Sequence, residues 1–328
     1  MPTWSEFLST QPQQSHLGAG CSLTGLDHLG VIRVSGADAR SFLQGQLSSD
    51  IQQLDAEHTQ LSGYCNPKGR LLAIFRVVLD QDAILLIVPQ ALLPTILRRL
   101  QLYVLRADVQ LHDASQTLAL LECAGPGAEQ ILPDAPIAEQ SVLHIEDKHI
   151  LRLPGDRMRL QVIGPVAALQ RLWQQAATKA VPSTQQVWHL LDIRAGLPMI
   201  HAATSEAFVP QMVNLHLVGG VSFQKGCYTG QEVVARMQYL GKLKRRMYRV
   251  HIAADTEIPV GQALYDTANP TQAVGTILQI APTDSAEGGY EALAVCQIHS
   301  METANLSLYA DATNGPGIRC LGLSYADW

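Results

Sequence analysis

No stretch of about 18 uncharged apolar residues, the length that crosses a bilayer, occurs in the 328 residues. The opening MPTWSEFLST has neither the basic n-region nor the apolar h-region of a secretory signal. These absences point to a cytoplasmic chain with no membrane partner. The six cysteines, at 21, 65, 123, 227, 296 and 320, include no CxxC and no close pair, and the eleven histidines show no ligand spacing. Neither a disulfide framework nor a zinc module is spelled out, and no metal site is expected. GxGxxG, the Walker A loop, HExxH and GxSxG are missing as well, which sets aside the chemistries those motifs serve. Basic excess is also absent: the formal net charge of −6 argues against whole-surface affinity for nucleic acid.

What is present is apolar and patterned. A hydrophobic fraction of 47% with 16% charged residues describes a well-cored chain long enough for two or three domains. After a polar leader, QPQQSHLGAG, His28 to Val34 reads as a strand and Ala37 to Leu47 as a helix. Gln60 to Cys65, a PKG turn, Leu71 to Leu79, the turn DQD and Ala83 to Val88 form a meander; Leu92 to Tyr103 is a helix and Asp108 to Leu111 a strand. This is a split α+β unit. A second set follows with strands at Thr117 to Cys123, His144 to Leu153 and Met158 to Val162, a short helix after Gly125 and another through Leu169 to Ala176; the likeness is of order and not of residues. VPSTQQ (181 to 186) reads as a linker and Val187 to Ala195 as a helix. Beyond Gly241, short strands at Met247 to Ile252, Ala273 to Ile280, Ala292 to His299 and Leu306 to Leu308 predict a β-barrel or sandwich.

The segment with the most chemistry is QKGCYTGQEVVAR, 224 to 236. Thr229 and Glu232 have the spacing of a capping box, which places Cys227 just outside a helix N-terminus. Helix N–H groups and an adjacent ammonium such as Lys225 favour a thiolate as nucleophile or ligand. Gly226 and Gly230 would let a ligand approach the backbone. The alternative is a small buried cysteine beside a tight turn, which is how Cys65 and the other cysteines are read. Val233, Val234, Met237 and Leu240 form an apolar helix face, with Gly241 as C′ cap. Lys225, Arg236, Lys242, Lys244, Arg245, Arg246 and Arg249, interleaved with Tyr239 and Tyr248, could meet phosphates or polyglutamate, or simply form a solvated basic face. Upstream, Trp188, Arg194, Gln211 and Asn214 supply an aromatic plane, a guanidinium and amides, the parts that bind a flat heterocycle such as a pterin.

The segment FVPQMVNLHLVGGVSFQKGCYTGQEVVARMQYLGKLKRR closely resembles the signature of the YgfZ family, folate-binding relatives of the glycine-cleavage aminomethyltransferase that assist iron-sulfur proteins. VSGADARSFLQGQLSSDI (34 to 51), CNPKGRLLA (65 to 73) and DIRAGLPMI (192 to 200) extend the resemblance over most of the chain. It implies an α+β, three-domain aminomethyltransferase-like fold with split ferredoxin-like antiparallel units around a central opening and a C-terminal β-barrel. The division would be 1–53 with 114–240 as a folate-binding core, 54–113 as the ferredoxin-like domain and 241–328 as the barrel. It also implies tetrahydrofolate or a derivative as ligand, and transient iron-sulfur protein partners through which tRNA methylthiolation is supported. The family's motif residues fall on Lys225, Gly226, Cys227, Tyr228, Thr229, Gly230, Gln231 and Glu232, with Cys227 the reactive thiol.

Two positions depart from the relatives. A folate-associated tryptophan falls on Trp188, but its partner falls on Leu29, which cannot stack in the same way. Arg194 stands where aminomethyltransferases carry a pterin-reading glutamate. In addition, GRLLAIFRVVL holds no carboxylate before Asp80, so the transferases' general acid/base is missing. The leading reading is therefore a folate-binding accessory protein for iron-sulfur assembly or repair. A folate-dependent one-carbon transferase and an RNA-binding module on the basic 236–249 stretch are the alternatives, direct nucleic-acid contact being disfavoured by net acidity. A lone cysteine cannot hold a four-cysteine cluster, and redox work would need an external resolving thiol.

Overall fold

The computed structural model of the chain describes residues 2–266, 269–302, 306–307 and 316–326. The meander forms as its pattern requires and recruits two further strands. Its sheet runs Gln60–Cys65, Leu71–Asp80, Ala83–Pro89, Leu29–Ser35, Gln110–Asp113, antiparallel throughout. Leu29–Ser35, from the segment expected to belong with 114–240, is thus hydrogen-bonded between strands of the 54–113 segment. Ala83–Pro89 is buried along its whole length because both its faces are covered. Ile84, Leu86 and Val88 pack with Leu43 and Ile96 of the helices Ala39–Gln46 and Leu93–Gln101, while Leu85 and Ile87 turn to the second sheet.

That second sheet runs Val181–Ser183, Ser22–Gly25, Leu118–Ala124, Arg159–Pro165, Lys148–Arg152, Val142–Ile145. One face meets the first sheet through Leu120, Leu151 and Ile163. The other is covered by the helices Trp4–Ser9 and Val166–Ala176, where Trp4 and Trp173 meet edge to face. Helices therefore flank two sheets packed against each other, and the junction between those sheets is the centre of the molecule.

Three sequence expectations change here. The linker-like 181–186 contains the strand Val181–Ser183, laid parallel to Ser22–Gly25. The single strand expected over 144 to 153 is a hairpin, turning at Glu146, whose φ is +54°. The leader is preceded by a helix with a complete Thr3–Glu6 capping box.

From Arg245 the chain forms a third, antiparallel sheet ordered Leu306–Ser307, Ala263–Asp266, Asn269–Pro282, Tyr290–Gln297, Arg245–Ile252, Ile318–Leu321. Register shifts near Leu264 and Ile277 curl it. Among the described residues its edge strands Leu306–Ser307 and Ile318–Leu321 do not pair, and the sheet is a curled half-barrel; Leu308 lies outside the described residues. Met247, Leu278, Leu293 and Val295 join the sheet to the main core.

Candidate functional site

Of residues 225–228 the outer two are buried and the middle two exposed. Lys225 is buried, and its Nζ donates to the carbonyls of Gln44 (2.6 Å), Leu47 (2.7 Å) and Ser49 (2.9 Å). Two of these belong to the end of the helix Ala39–Gln46, so the lysine caps that helix from a distant part of the chain. Burial lowers the ammonium to about 8, against the opposing pull of Asp50, and the three carbonyls favour the charged form. Nζ also lies 5.2 Å from the centroid of the buried Tyr228 ring. Cys227 is exposed. Its expected neighbour, the Lys225 ammonium, is committed to the interior, and a Cβ on Gly226 would meet nothing within 4 Å, so the backbone beside the thiol is open to approach.

The capping box predicted at Thr229 and Glu232 does not form. The helix runs Gln231–Tyr239 behind Gly230, at φ +84°, with no side-chain cap. Gly230 is pressed against the CNPKG turn: a Cβ there would lie 2.5 Å from the Asn66 carbonyl oxygen and 2.9 Å from Gly69 Cα. Glu232 instead reaches forward to Arg236 at 2.9 Å. The helix's predicted apolar face is buried only at Val234; Tyr239 and Leu240 are exposed. Gly241 returns its N–H to the Arg236 carbonyl as a C′ residue would, without a left-handed φ. The basic stretch is largely engaged: Arg249 holds Glu291 at 2.6 Å and Arg245 donates to the Ala273 carbonyl, while Lys242 and Lys244 are exposed.

The proposed ligand-contacting residues separate into two groups. Gln211 donates through Nε2 to the Val234 carbonyl at 2.7 Å, and Asn214 through Nδ2 to the Met247 carbonyl at 3.0 Å. They brace the motif helix and the third sheet. Arg194 pairs with Asp284 and Glu291, tying the helix Gln185–Arg194 to the same sheet. Trp188 and Leu29, by contrast, come together in a cavity of about 50 Å³ where the two packed sheets meet that helix.

Its walls are mostly apolar, with Leu61, Ile74, Ile87 and Met199 prominent. Gln161 and Arg76 also line it, and Asp192 is its carboxylate. Asp192 is held at 2.7 Å by Arg159, which also grips Glu122 at 3.0 and 3.1 Å. Gln161 Oε1 and Trp188 Nε1 are buried without partners. Apolar walls with convergent unpaired polar atoms suit a flat ring carrying donors and acceptors on its edge. Sequence reasoning passed over Arg76 and Gln161. Their signal was a polar residue at an inward position of an otherwise apolar strand.

One group of three potential metal ligands occurs among the described residues, Asp80, His144 and His149. Arg33 pairs with Asp80, so a guanidinium already occupies the place of a cation. Burial and paired charges are used there to hold two sheets together: Asp80 also accepts from His149 Nε2 at 3.1 Å and is kept ionised down to about 2 by His149, with Arg33 adding to the effect.

Residues 4–153 match the family described as the GCVT N-terminal domain. The fold is similar to that of the glycine cleavage system aminomethyltransferase T from Bartonella henselae, with a TM-score of 0.72 over 94% of this chain and 87% of that one; at 16% identity the likeness concerns the fold alone. The tRNA-modifying protein YgfZ of Colwellia psychrerythraea is 33% identical over 227 residues, 68% of this chain and 69% of the relative. Its namesake in Hamiltonella defensa is 34% identical over 244 residues, 73% and 72% of the two chains. That of Yersinia pestis (strain Pestoides F) is 32% identical over 244 residues, 73% and 74%. With identity of this order sustained over more than two thirds of each partner, the chain belongs to the YgfZ family.

Proposed function

We propose that this chain is a cytoplasmic, folate-binding accessory protein that supports tRNA modification by helping to assemble or repair iron-sulfur enzymes, with Cys227 as its reactive thiol. The observation that carries the reading is the cavity between the two sheets, walled by Trp188 and Leu29 and bearing the unpartnered Gln161 Oε1 and Trp188 Nε1. A tetrahydrofolate pterin would place its ring against those walls. At about 50 Å³ the cavity holds a few waters, so a bicyclic ring enters as pliable lining such as Met199 turns aside. Leu29 supplies dispersion contact where relatives stack an aromatic ring. Arg194, Gln211 and Asn214 support this site from its surroundings, through the contacts they already make.

The transferase alternative asks for a carboxylate free to move a proton at the ligand. Asp192 lines the cavity but is committed to Arg159, which disfavours that role. The leading reading keeps 1–53 with 114–240, 54–113 and 241–328 as three domains with ferredoxin-like sheet units, the strand Leu29–Ser35 crossing from the first into the sheet of the second, and the curled C-terminal sheet as the barrel domain.

The test is complementation. Cells lacking their own YgfZ-type protein receive this chain or its Cys227→Ala form at equal soluble level, and methylthiolated tRNA is quantified. Rescue by the parent alone is expected. Equal rescue by both would remove the thiol from the mechanism, and no rescue by either would remove the iron-sulfur role.

A further inference from the structure

We propose that Arg76 is the acceptor-reading group of the central cavity, its guanidinium donating to a carbonyl or carboxylate oxygen of the bound folate. This rests on the folate reading above and names the residue that would select the ligand within it.

Arg76 lies in the middle of the strand Leu71–Asp80, with Leu61 and Ile87 as its cross-strand neighbours, and all three line the cavity. The aliphatic neighbours suit the stem of the side chain. The fork at its end is different. It makes no hydrogen bond and no ion pair with any described residue. The carboxylates whose charge reaches it, Asp192 and Glu122, are both hydrogen-bonded to Arg159.

Several other partly buried arginines of this protein have acceptors within it. Arg40 donates to the Ile51 and Leu54 carbonyls, Arg33 pairs with Asp80, and Arg194 and Arg249 share Glu291. A guanidinium carries five donors, and those of the half-buried Arg76, on the cavity wall and without acceptors among the described residues, are left for whatever enters the cavity. Burial lowers Arg76 to about 10, Asp192 opposing the shift and Arg159 adding to it, so the fold disfavours a charge that it nevertheless keeps at neutral pH.

The acceptor that is missing from the protein fits a ligand. Gln161 Oε1, unpaired on the same cavity wall, is a free acceptor for a ligand N–H. A guanidinium donor beside an amide acceptor complements an edge that presents an oxygen next to an N–H, as the lactam edge of a pterin does. A glutamate-tail carboxylate would satisfy Arg76 equally but would leave Gln161 unexplained.

The experiment measures equilibrium binding of tetrahydrofolate and of 6-methyltetrahydropterin, which lacks the glutamate tail, to the full chain and to Arg76→Gln and Arg76→Lys, with thermal unfolding of each. Arg76→Gln is expected to weaken tetrahydrofolate about tenfold or more, the usual consequence of losing a charge-assisted hydrogen bond, without lowering the melting temperature. Arg76→Lys, which keeps the charge and loses the fork, should fall between, and it carries the test if the glutamine variant does not fold. Loss for both ligands assigns Arg76 to the ring oxygen; loss for tetrahydrofolate alone assigns it to the tail. Unchanged affinity for both ligands, whatever the melting temperatures, overturns the inference and leaves the folate reading standing. Failure of the parent to bind either ligand overturns both.

Discussion

Gly230 and Gly226 stand four residues apart in one motif and have opposite reasons to be glycine. Gly230 has a φ of +84° and faces the Asn66 carbonyl at a distance that excludes a Cβ, whereas Gly226 faces open space. Gly230→Ala should therefore lose at least about 1–2 kcal/mol from the backbone penalty alone, and Gly226→Ala should stay within about 0.5 kcal/mol. Urea denaturation of the pair decides it; equal stabilities would mean that the interlock with the CNPKG turn is not formed. Lys225→Met belongs beside them. It strips the donor from three interior carbonyls and should cost about 2 kcal/mol or more, while Cys227→Ala, at an exposed site, should cost almost nothing. If Lys225→Met proved as stable as the parent, the lysine would have to be reassigned from helix cap to partner of the thiol. The motif's chemistry was legible in the sequence only in part, because residues 225 to 228 look equivalent until the chain's turn sends one side chain in and the next out.

Elements were legible where a local pattern decides them. The meander from Gln60 to Pro89 reads correctly because apolar runs are separated by turn residues, and the helices Ala39–Gln46 and Leu93–Gln101 because one face is apolar. Val181–Ser183 escaped because its pairing partner, Ser22–Gly25, lies far away in the sequence and its own residues read as a polar break. The cap of Gln231–Tyr239 escaped because a tertiary contact at Gly230 overrides a local one at Thr229. The cavity was legible in Trp188 and Leu29 through family resemblance and illegible in Arg76 and Gln161, since no local rule brings the two sheets together. Beside that meeting, the buried group of Arg159 with Glu122 and Asp192 joins strands of the second sheet to the helix Gln185–Arg194. Arg159→Met would leave two buried carboxylates without their partner and should cost about 3–5 kcal/mol, measured as a lowered denaturant midpoint. A loss under about 1 kcal/mol would show that the group is not what fixes the helix.

At the scale of the whole molecule, the junction that forms the cavity is also where acid should open the protein. His28 and His189 flank Trp188, with ring centroids 4.9 Å and 5.1 Å from the indole, and His201 lies beside His189 at 6.2 Å. Burial holds His189 and His201 down at about 4, and burial followed by its histidine neighbours holds His28 well below its ordinary value. His189 and His201 are thus largely neutral in the folded state at pH 5, with His28 shifted in the same direction, whereas the unfolded chain's histidines, titrating near about 6.5, are largely protonated there. The unfolded state then binds more protons, so the stability these residues contribute is complete above about pH 6.5 and declines as the pH falls toward 4. Each histidine adds a slope of up to about 1.4 kcal/mol per pH unit in that window. The carboxylate most strongly held ionised, Asp80 at about 2, loses its contribution only at lower pH and so cannot account for an early decline. Urea unfolding at steps from pH 7 to 4.5 should show stability falling from near pH 6.5, and His189→Leu should remove about one proton from the slope. A flat profile over that range would mean that the histidines are solvated and that the sheet junction, with its cavity, is more open than the packing around Trp188 describes. A decline that His189→Leu leaves unchanged would place the acid-sensitive contact in another part of the fold.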